Sequence, residues 1–412
     1  MKVPFFRPSI GEEEKAAVVE ALSSGWPTAG RTVREFESRF AAYLGVPHAV
    51  AVNSYTAALY LALDAAGVRN NDVVLMPTMT FAAAAEVVSY LGARPVMVDC
   101  DPVTLCVDPD AMEAAATEWS RRGCLKAMIP MHYGGQMADM ERLGAVAQRF
   151  GMRVIEDAAH ALPAFIRKGP GHPWRSVGST SPLTCFSFCA SQCISTGEGG
   201  MVVTHDPEMA DSVRMMAVHG FSNVDWTRSD GRGSWEYEIP EPGYNYNLTD
   251  VAAAIGLAQL GKADDFWHQR RSIAETYSTR LAMYPEFLEL PHELEDRKSA
   301  WHLYPIRIRL GQLDIDRDPF IEEMKQHGVI CSVHWMPLHL HPYYRRTYGY
   351  WPQDFPVASA QWPRLVSLPI FPEMTESEVD HVCDSVGDLI RKHARRRGVA
   401  PAFLQGSTRM VL

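Results

Sequence analysis

The sequence predicts an α/β protein, with a large domain built on a mostly parallel mixed sheet and a smaller C-terminal α+β domain. Three observations lead to this class. In the first two-thirds of the chain, short apolar segments alternate with longer helix-periodic segments, which is typical of parallel strands joined by covering helices. After about Pro285 the segments become short and mixed. The length of 412 residues is sufficient for two domains with sizeable cores.

The large domain is predicted from two kinds of segment. Apolar residues at intervals of three or four predict helices, and short runs of apolar and β-branched residues predict buried strands. The helices are expected over residues 10–22, 33–44, 56–66, 81–91 and 140–150. The strands are expected over residues 49–52, 73–76, 95–98, 127–130, 154–157, 184–187 and 201–204.

The C-terminal part of the chain begins with a long helix-periodic segment. Residues 249–281 predict one continuous helix that connects the two domains. A strand over 301–308 and helices over 318–326 and 376–392 follow. The resulting division is a large domain over residues 1–270 with the linking helix ending near 281, a small domain over 271–398, and a loosely held tail over 399–412.

Composition and charge exclude several classes of protein. The net charge of −10 argues against a nucleic-acid-binding protein, because such proteins present basic surfaces. The longest apolar candidate for a membrane span, residues 73–98, is interrupted by Pro77, Arg94 and Pro95. The first residues lack the apolar core of a secretory signal, and eight cysteines without a dense framework fit a reducing compartment. We therefore expect a cytoplasmic protein that binds neither nucleic acid nor membrane.

Three cysteines recur at every fourth position, at Cys185, Cys189 and Cys193. This spacing raises the question of a metal or iron–sulfur site. No C-x-x-C pair accompanies it, and small thiols are common in buried apolar segments. We interpret these residues as packing residues and predict no metal site.

Three segments carry residues of the types that contact small ligands. Thr56 and Ala57 follow a strand and begin a helix, where free backbone N–H groups favour an anion; a simple helix cap at Ser54 or Thr56 is the alternative. Asp157 ends an apolar strand, where parallel-sheet folds place ligand contacts, although it could equally cap the next helix. Phe81 could supply a flat apolar wall or be an ordinary core residue.

Residues 187–200 carry the most informative motif of the chain. Ser187 and Phe188 are followed by Gln192, and residues 197–200 read Gly-Glu-Gly-Gly. This spacing resembles the segment S-F-x-x-x-K-x-x-x-x-G-E-G-G of the DegT/DnrJ/EryC1/StrS sugar aminotransferases, whose lysine forms a Schiff base with pyridoxal phosphate (PLP). In this register Gln192 stands at the lysine position.

The resemblance extends over residues 3–395 and implies a fold type I, aspartate-aminotransferase-like large domain that binds PLP or pyridoxamine phosphate (PMP). It assigns the cofactor phosphate to a helix start and a serine, the pyridine nitrogen to an aspartate, the ring hydroxyl to a histidine, and the ring face to an aromatic side chain. Thr56, Ala57 and Ser187 stand at the phosphate positions. Asp157 stands at the position of the nitrogen partner, His160 at that of the ring-hydroxyl contact, and Phe81 at that of the residue on the ring face.

Residues 243–250 resemble the family segment G-Y-N-Y-R-M-T-D. The resemblance implies that Asn245 reaches the phosphate bound in the partner subunit, and hence a homodimer with shared active sites. Two positions depart from the family pattern. Asn247 replaces the usual arginine, and Tyr55 stands where glycine is usual.

Residues 333–339 resemble the substrate-side pattern H-x-x-P-x-H of the family. His334 is therefore a candidate substrate contact, and a packing role explains it equally well. We place the substrate among Trp26, Thr28, His334 and the loop 222–238. Because the family acts on nucleotide-linked keto sugars and on cyclitols, we expect a keto sugar, a nucleotide sugar or a related small molecule.

Gln192 changes the expected chemistry. A lysine amine forms the Schiff base and transfers protons, whereas a neutral carboxamide does neither. None of the eight lysines lies in a motif directed toward the cofactor. We therefore expect PLP or PMP to be bound non-covalently, with Gln192 and His160 at the catalytic positions.

Three hypotheses remain open. The chain is a sugar-aminotransferase-type protein that has lost its lysine, a lysine-free enzyme with altered chemistry, or a catalytically silent homologue. Altered chemistry means PMP-dependent sugar dehydration, or a PLP-independent reaction with a thiol such as Cys189 or Cys193. Dehydration requires another proton carrier, and the candidates are His132, His160, His219 and His334.

Overall fold

A seven-stranded mixed sheet forms the centre of the computed structural model, which describes residues 1–222 and 238–395. The helices are α1 (Glu12–Ser23), α2 (Arg31–Leu44), α3 (Tyr55–Ala65), α4 (Ala82–Tyr90), α5 (Pro109–Trp119), α6 (Met140–Phe150), α7 (Pro207–Ala217), α8 (Asp250–Leu260), α9 (Ala263–Leu281), α10 (Arg317–Gln326), α11 (Pro342–Tyr348), α12 (Pro356–Gln361) and α13 (Glu376–His393). The strands are β1 (His48–Val52), β2 (Asp72–Pro77), β3 (Arg94–Val98), β4 (Cys124–Met128), β5 (Arg153–Asp157), β6 (Phe165–Ile166), β7 (Arg175–Ser176), β8 (Leu183–Ser187), β9 (Gly200–Thr204), β10 (Leu288–Glu289), β11 (Arg297–Lys298), β12 (Tyr304–Ile308) and β13 (Leu365–Leu368).

The central sheet is mostly parallel, as the alternation of segments predicted. Its strands follow the order β1-β9-β8-β5-β4-β2-β3. Within this sheet β9 runs antiparallel to its neighbours β1 and β8. The strands β8, β5, β4, β2 and β3 pair in parallel. The predicted α/β class with a mostly parallel mixed sheet is therefore confirmed.

The hydrophobic core consists of two clusters. The larger cluster surrounds the central sheet and buries α3 and α4 against it. The smaller cluster includes Tyr277 of α9, Tyr304 of β12 and Leu389 of α13, next to the antiparallel sheet β10-β12-β13. Two cores fit the expected large and small domains. The boundary near residue 270 stays a prediction, and the tail over 399–412 lies outside the described residues.

The prediction of one helix over residues 249–281 is wrong. The chain forms two helices, because α8 ends at Leu260 and α9 begins at Ala263. Gly261 stands at the break, and glycine is a poor residue for a helix interior. Lys262 lies between the helices, where its amine binds Glu13 and Glu14 of α1 at 3.0 and 2.7 Å. Helical periodicity continues across the break, so it did not reveal the interruption.

Two predicted strands are displaced. The strand expected over 301–308 begins only at Tyr304, and Trp301 has a φ of 49°, which is left-handed backbone and not the extended backbone of a regular strand. The strand expected over 127–130 is β4, which begins three residues earlier, at Cys124, and ends two residues earlier, at Met128.

Two helices of the large domain, α5 and α7, were missed. Each begins with an aspartate N-cap followed by proline, at Asp108-Pro109 and at Asp206-Pro207. This is a recognised start signal, and it could have revealed both helices. None of the helices in residues 1–222 and 238–395 has the length and apolar character that crossing a membrane requires.

Candidate active site

The carboxyl ends of β5 and β8 place two of the predicted cofactor residues side by side. Asp157 is the last residue of β5 and pairs with Cys185 of β8, two residues before Ser187 at the end of that strand. Ser187 pairs in turn with Gly200, the first residue of β9. Ligands of open α/β sheets bind beyond the carboxyl ends of parallel strands, so a site is expected at this edge.

The helix α3 packs against β8 and β9, and its first turn holds Thr56 and Ala57. Ser54 is the N-cap, and its Oγ accepts a hydrogen bond from the Ala57 amide at 3.1 Å. The cap that the sequence allowed is therefore present, and it uses the Ala57 N–H group. Other amides of the first turn have no partner within the helix, so the helix start still favours an anion.

The start of α3 rests directly on Gly200, the last glycine of the Gly-Glu-Gly-Gly motif. A Cβ atom at this position would lie 2.5 Å from the Ser54 carbonyl oxygen and 2.9 Å from the Tyr55 amide nitrogen. Only glycine allows two backbones to approach so closely. Gly200 thereby sets the distance between the helix start and the strand ends.

Asp157 is 2% exposed and faces the hydroxyl group of Tyr55. Its Oδ1 atom accepts a hydrogen bond from the Ala159 amide at 3.1 Å. Burial raises the pKa of Asp157 to about 6, although Tyr55 and the Ala159 amide act in the opposite direction. Burial, and then the charge of Asp157, raise the pKa of Tyr55 well above its usual range. The buried hydroxyl acts to lower the pKa of the Asp157 carboxyl group, so it stabilises the carboxylate form.

A cluster of aromatic and imidazole rings lies beside Asp157. The ring of Trp335 is 5.0 Å from that of His160 and 6.2 Å from that of Phe81, measured between centroids. The ring of His302 is 4.1 Å from His160 on another side. Phe81 is 55% exposed, which excludes the alternative that it is a core residue. Trp335 therefore connects the predicted stacking residue with the predicted ring-hydroxyl contact.

The two predicted histidines of the site are both uncharged near neutral pH. Burial, and then the nearby His334, lower the pKa of His160 well below its usual range. Burial lowers the pKa of His334 to about 4. The Nδ1 atom of His334 is 2.9 Å from Ser367 Oγ, and its ring stacks on Phe5 at 5.3 Å. His334 thus has the packing contacts that the sequence allowed, and it also lies beside His160.

Gln192 lies in the loop between β8 and β9, and this loop lies next to the segment that follows β5. The Gln192 amide donates to the Cys189 carbonyl at 2.9 Å. The Sγ atom of the next residue, Cys193, is 3.8 Å from the His160 carbonyl oxygen. Gln192 also lines a cleft that Ser9 of the N-terminal segment and Arg270 of α9 share.

Several buried polar atoms of this region have no hydrogen-bond partner among the described residues, including Tyr55 Oη, His160 Nδ1, Gln192 Oε1 and His302 Nδ1. Buried polar atoms in native proteins are nearly always paired, so these atoms indicate a polar ligand in this region. Together with the anion-favouring start of α3 and the carboxylate of Asp157, they fit a phosphorylated pyridine.

Comparison with known proteins establishes the family. A family model described as the DegT/DnrJ/EryC1/StrS aminotransferase family matches residues 8–387. The chain belongs to this family. Spore coat polysaccharide biosynthesis protein SpsC of Bacillus subtilis (strain 168) is 41% identical over 390 residues, which are 94% of this chain and 97% of SpsC.

Solved structures of family members share the fold. The putative sugar aminotransferase Spr1654 from Streptococcus pneumoniae, in its PLP form, is 31% identical, with a TM-score of 0.85 over 95% of this chain and 99% of that one. Its PMP form gives the same TM-score and identity, over 95% of this chain and 98% of that one. DesV of S. venezuelae, in complex with a ketimine intermediate, is 31% identical, with a TM-score of 0.83 over 94% of this chain and 98% of DesV. The expectation of a sugar-aminotransferase-type fold is confirmed.

The lysines of this family member contact groups outside the candidate site. Six of the eight have a partner there: Lys15 with Glu12, Lys168 with Glu141, Lys262 with Glu13 and Glu14, Lys298 with the ring of Trp174, Lys325 with Glu322, and Lys392 with Glu323. Lys126 lies in β4 near Gly67, and Lys2 lies at the N-terminus. None of these contacts involves Asp157, His160 or Gln192, and the absence of a substitute lysine at the site stays a prediction.

Two of the alternative groups, His132 and Cys193, are less suited to chemistry than the sequence allowed. His132 has both ring nitrogens hydrogen-bonded, Nε2 with Glu156 Oε1 at 2.6 Å and Nδ1 with the Ala138 amide at 3.1 Å. Burial raises the pKa of the Cys193 thiol, so it is not a ready thiolate. Within the described residues, no three side chains of the metal-ligating types converge on one point.

Some predicted residues do not join this cluster. The Trp26 indole N–H donates to the Ala29 carbonyl at 3.0 Å, and the Thr28 carbonyl accepts from the Asp250 amide at 3.1 Å, so both lie beside the start of α8. Asn245 is exposed, and its carbonyl accepts from Asn53 Nδ2 at 3.2 Å. Its reach into a partner subunit stays a prediction. Of the predicted substrate loop, residues 223–237 lie outside the described residues.

The sequence missed two side chains of the ring cluster, Trp335 and His302. Trp335 directly follows His334 inside a recognised motif, but only the histidine was selected from it. His302 was assigned to the interior of a strand, whereas the strand begins at Tyr304. The aromatic character of Trp335 within that motif was the only available signal.

Proposed function

We propose that this protein acts on a keto sugar or a related small molecule in sugar or aminocyclitol biosynthesis, and that it binds PLP or PMP without a covalent bond. One observation supports the proposal: in a member of this family, Asp157, Ser187 and the start of α3 lie at the same edge of the sheet, and Gln192 stands where the resemblance places the lysine. The similarity to SpsC and to sugar aminotransferases in PLP and PMP forms supports the substrate and cofactor classes. We also propose a cytoplasmic homodimer with shared sites.

The residues of the proposed site divide the task of holding the cofactor. Thr56 and the start of α3, with Ser187, would hold the phosphate through N–H and O–H donors. Asp157 would pair with the pyridine nitrogen, and with a pKa of about 6 its carboxyl group is mostly ionised near neutral pH. Phe81 would cover the ring face. When bound, PLP supplies an electron sink and PMP supplies an amine.

Gln192 and His160 would determine how protons move. The carboxamide of Gln192 is neutral and carries no basic lone pair, so it orients groups by hydrogen bonding and takes up no proton. His160 is neutral, and its Nδ1 atom has no partner within the described residues. Loss of a lysine proton carrier is expected to slow a proton transfer by roughly 10²–10⁴-fold.

A second candidate function is PMP-dependent dehydration of a sugar. The unpartnered Nδ1 of His160 favours it, because a neutral imidazole beside the ring hydroxyl position could carry a proton without a lysine. Incubation of the PMP-loaded protein with a keto sugar distinguishes the candidates, since amination would transfer the PMP nitrogen to the sugar and dehydration would remove water. A PLP-independent reaction or a catalytically silent homologue would give neither product.

The substitution Gln192→Lys tests the proposed function. We expect the variant to bind PLP covalently, because Thr56, Asp157, His160 and Ser187 stand at the positions that the resemblance assigns to the cofactor. The readouts are visible absorbance and the intact protein mass after borohydride reduction, which should increase by one cofactor. Gln192→Met is the matched control, since it has a similar size and no amine.

Two results would contradict the proposal. Borohydride fixation of PLP to the wild-type protein or to Gln192→Met would show that another lysine is engaged. A Gln192→Lys protein that remains colourless in excess PLP, with an unchanged mass, would show that the pocket does not admit the cofactor.

A further inference from the structure

Tyr55 stands at the first position of α3, where the resembling family usually has glycine. Its backbone is fixed, because the Tyr55 amide nitrogen lies against Gly200 at the start of β9. Its side chain is directed toward the strand ends, since its hydroxyl faces Asp157 at the end of β5 and also interacts with Cys185 of β8. The residue therefore belongs to the candidate site, although it is not one of the predicted cofactor contacts.

The direction of the Tyr55 side chain follows from the strand order. The strands β9, β8 and β5 are neighbours, and adjacent strands lie about 4.8 Å apart. A residue anchored above β9 can interact with Asp157 on β5 only if its side chain extends across the end of β8. Ser187 ends β8, so the side chain extends from the region of the predicted phosphate contact toward the predicted nitrogen contact.

The proposed cofactor would occupy the same space, between the start of α3 and Asp157. Its phosphate would lie at the start of α3 and Ser187, and its ring nitrogen at Asp157. The phenol ring and a pyridine ring are both flat six-membered rings, and they cannot occupy this space together. Asp157 is the polar group that the buried Tyr55 hydroxyl faces, so displacement of the ring would give up this contact.

We propose that Tyr55 limits the affinity of this site for PLP and PMP, because its ring must leave the space beside Asp157 before a pyridine nitrogen can enter. This inference rests on the proposed function. It assigns Tyr55 as an affinity-determining residue, and it attributes the effect to the size of the side chain and not to its hydroxyl group.

The test is a calorimetric titration of PMP into three proteins, the wild type, Tyr55→Ala and Tyr55→Phe. PMP is suitable because it cannot bond to an amine of the protein. We expect Tyr55→Ala to bind PMP at least about tenfold more tightly, since the ring no longer has to be displaced. Tyr55→Phe should remain within about threefold of the wild type, because its ring fills the same space. Alanine preserves the helix start, since it has the highest helix propensity.

The possible outcomes separate this inference from the proposed function. Equal or weaker binding by Tyr55→Ala, or an equal gain by Tyr55→Phe, overturns the inference and leaves the proposed function in place. Failure of every protein to bind PMP overturns both. The double variant Tyr55→Ala/Asp157→Asn should lose the gain, and if it retains the gain, PMP binds elsewhere and the inference is overturned. Thermal unfolding without ligand shows that each variant is folded.

Discussion

Asp157 ends a buried strand without a salt bridge to any described residue, which is costly for a carboxylate. Burial raises its pKa to about 6, whereas an unfolded chain gives about 3.9. Between these pKa values the folded state binds more protons than the unfolded state, so the contribution of Asp157 to stability decreases as the pH rises through this window. With about 1.4 kcal/mol for each pKa unit, the cost at neutral pH is about 3 kcal/mol.

The substitution Asp157→Asn should therefore stabilise the ligand-free protein at neutral pH. We expect the free energy of unfolding to increase by about 1–3 kcal/mol near pH 7.5 and to change little below about pH 4. Asparagine Oδ1 can still accept the Ala159 amide. Urea unfolding of both proteins across this pH range gives the difference in their free energies of unfolding. The titration of the histidines cancels in this difference, because both proteins contain the same histidines. A difference that does not vary with pH would contradict the pKa argument.

Sequence reasoning reached Asp157, His160, Phe81 and Ser187 because each lies in a motif with fixed local spacing. It could not reach the contacts among side chains that are far apart in the chain. Trp335 meets His160 and Phe81 only because three separate segments converge. The departure at Tyr55 was visible in the sequence, but its approach to Asp157 depends on where α3 starts relative to β5.

At the scale of elements, the position of α3 depends on a single glycine. A side chain at Gly200 would push against the Ser54 carbonyl and the Tyr55 amide, both of which are backbone groups that cannot rotate away. The helix start would have to move from the ends of β8 and β9. The predicted phosphate contacts lie on both sides of this junction, so their spacing would change together with the packing.

We expect Gly200→Ala to cost about 2 kcal/mol or more in the free energy of unfolding and to weaken PMP binding. The matched control is Gly144→Ala in α6, where an added Cβ meets nothing within 4 Å. That variant should be neutral or more stable by up to about 1 kcal/mol, because alanine favours a helix more than glycine does. Urea unfolding and PMP titration measure both effects. If both variants behave alike, Gly200 does not position the helix.

The central elements were predictable because buried parallel strands and amphipathic helices have distinct periodicities. Most of their predicted bounds lie within two residues of those in the structure. The failures have local causes. A left-handed residue at Trp301 delays β12, and the break at Gly261 lies inside a segment that keeps its periodicity. Such features depend on contacts with other elements, such as Lys262 with α1, which periodicity does not report.

At the scale of the whole molecule, the two cores are connected next to the candidate site. Arg270 of α9 is 4% exposed and donates to the carbonyl oxygens of Ile370 at 2.7 Å and His302 at 3.4 Å. The His302 ring in turn lies against His160. The geometry around His160 therefore depends on segments of both cores. Movement of one core relative to the other would change the surroundings of this imidazole.

The proposed homodimer requires that a residue of one subunit contact the cofactor bound in the other subunit. Asn245 is exposed in the single chain, as expected for a residue that contacts a partner. If it acts across the interface, a heterodimer of one Asn245→Ala chain and one Asp157→Asn chain contains one site with both wild-type residues and one site with neither. If Asn245 acts within its own chain, both sites of the heterodimer are damaged.

We therefore expect the mixed dimer, purified with two different tags, to bind one PMP tightly per dimer. The two variant homodimers should bind PMP more weakly at both of their sites, by about tenfold or more, because each site lacks one charged or hydrogen-bonding contact. Calorimetric titration gives the number of tight sites directly. A mixed dimer without a tight site would place Asn245 in its own chain's pocket, and the proposal of shared sites would then fail while the cofactor assignment of Asp157 remained.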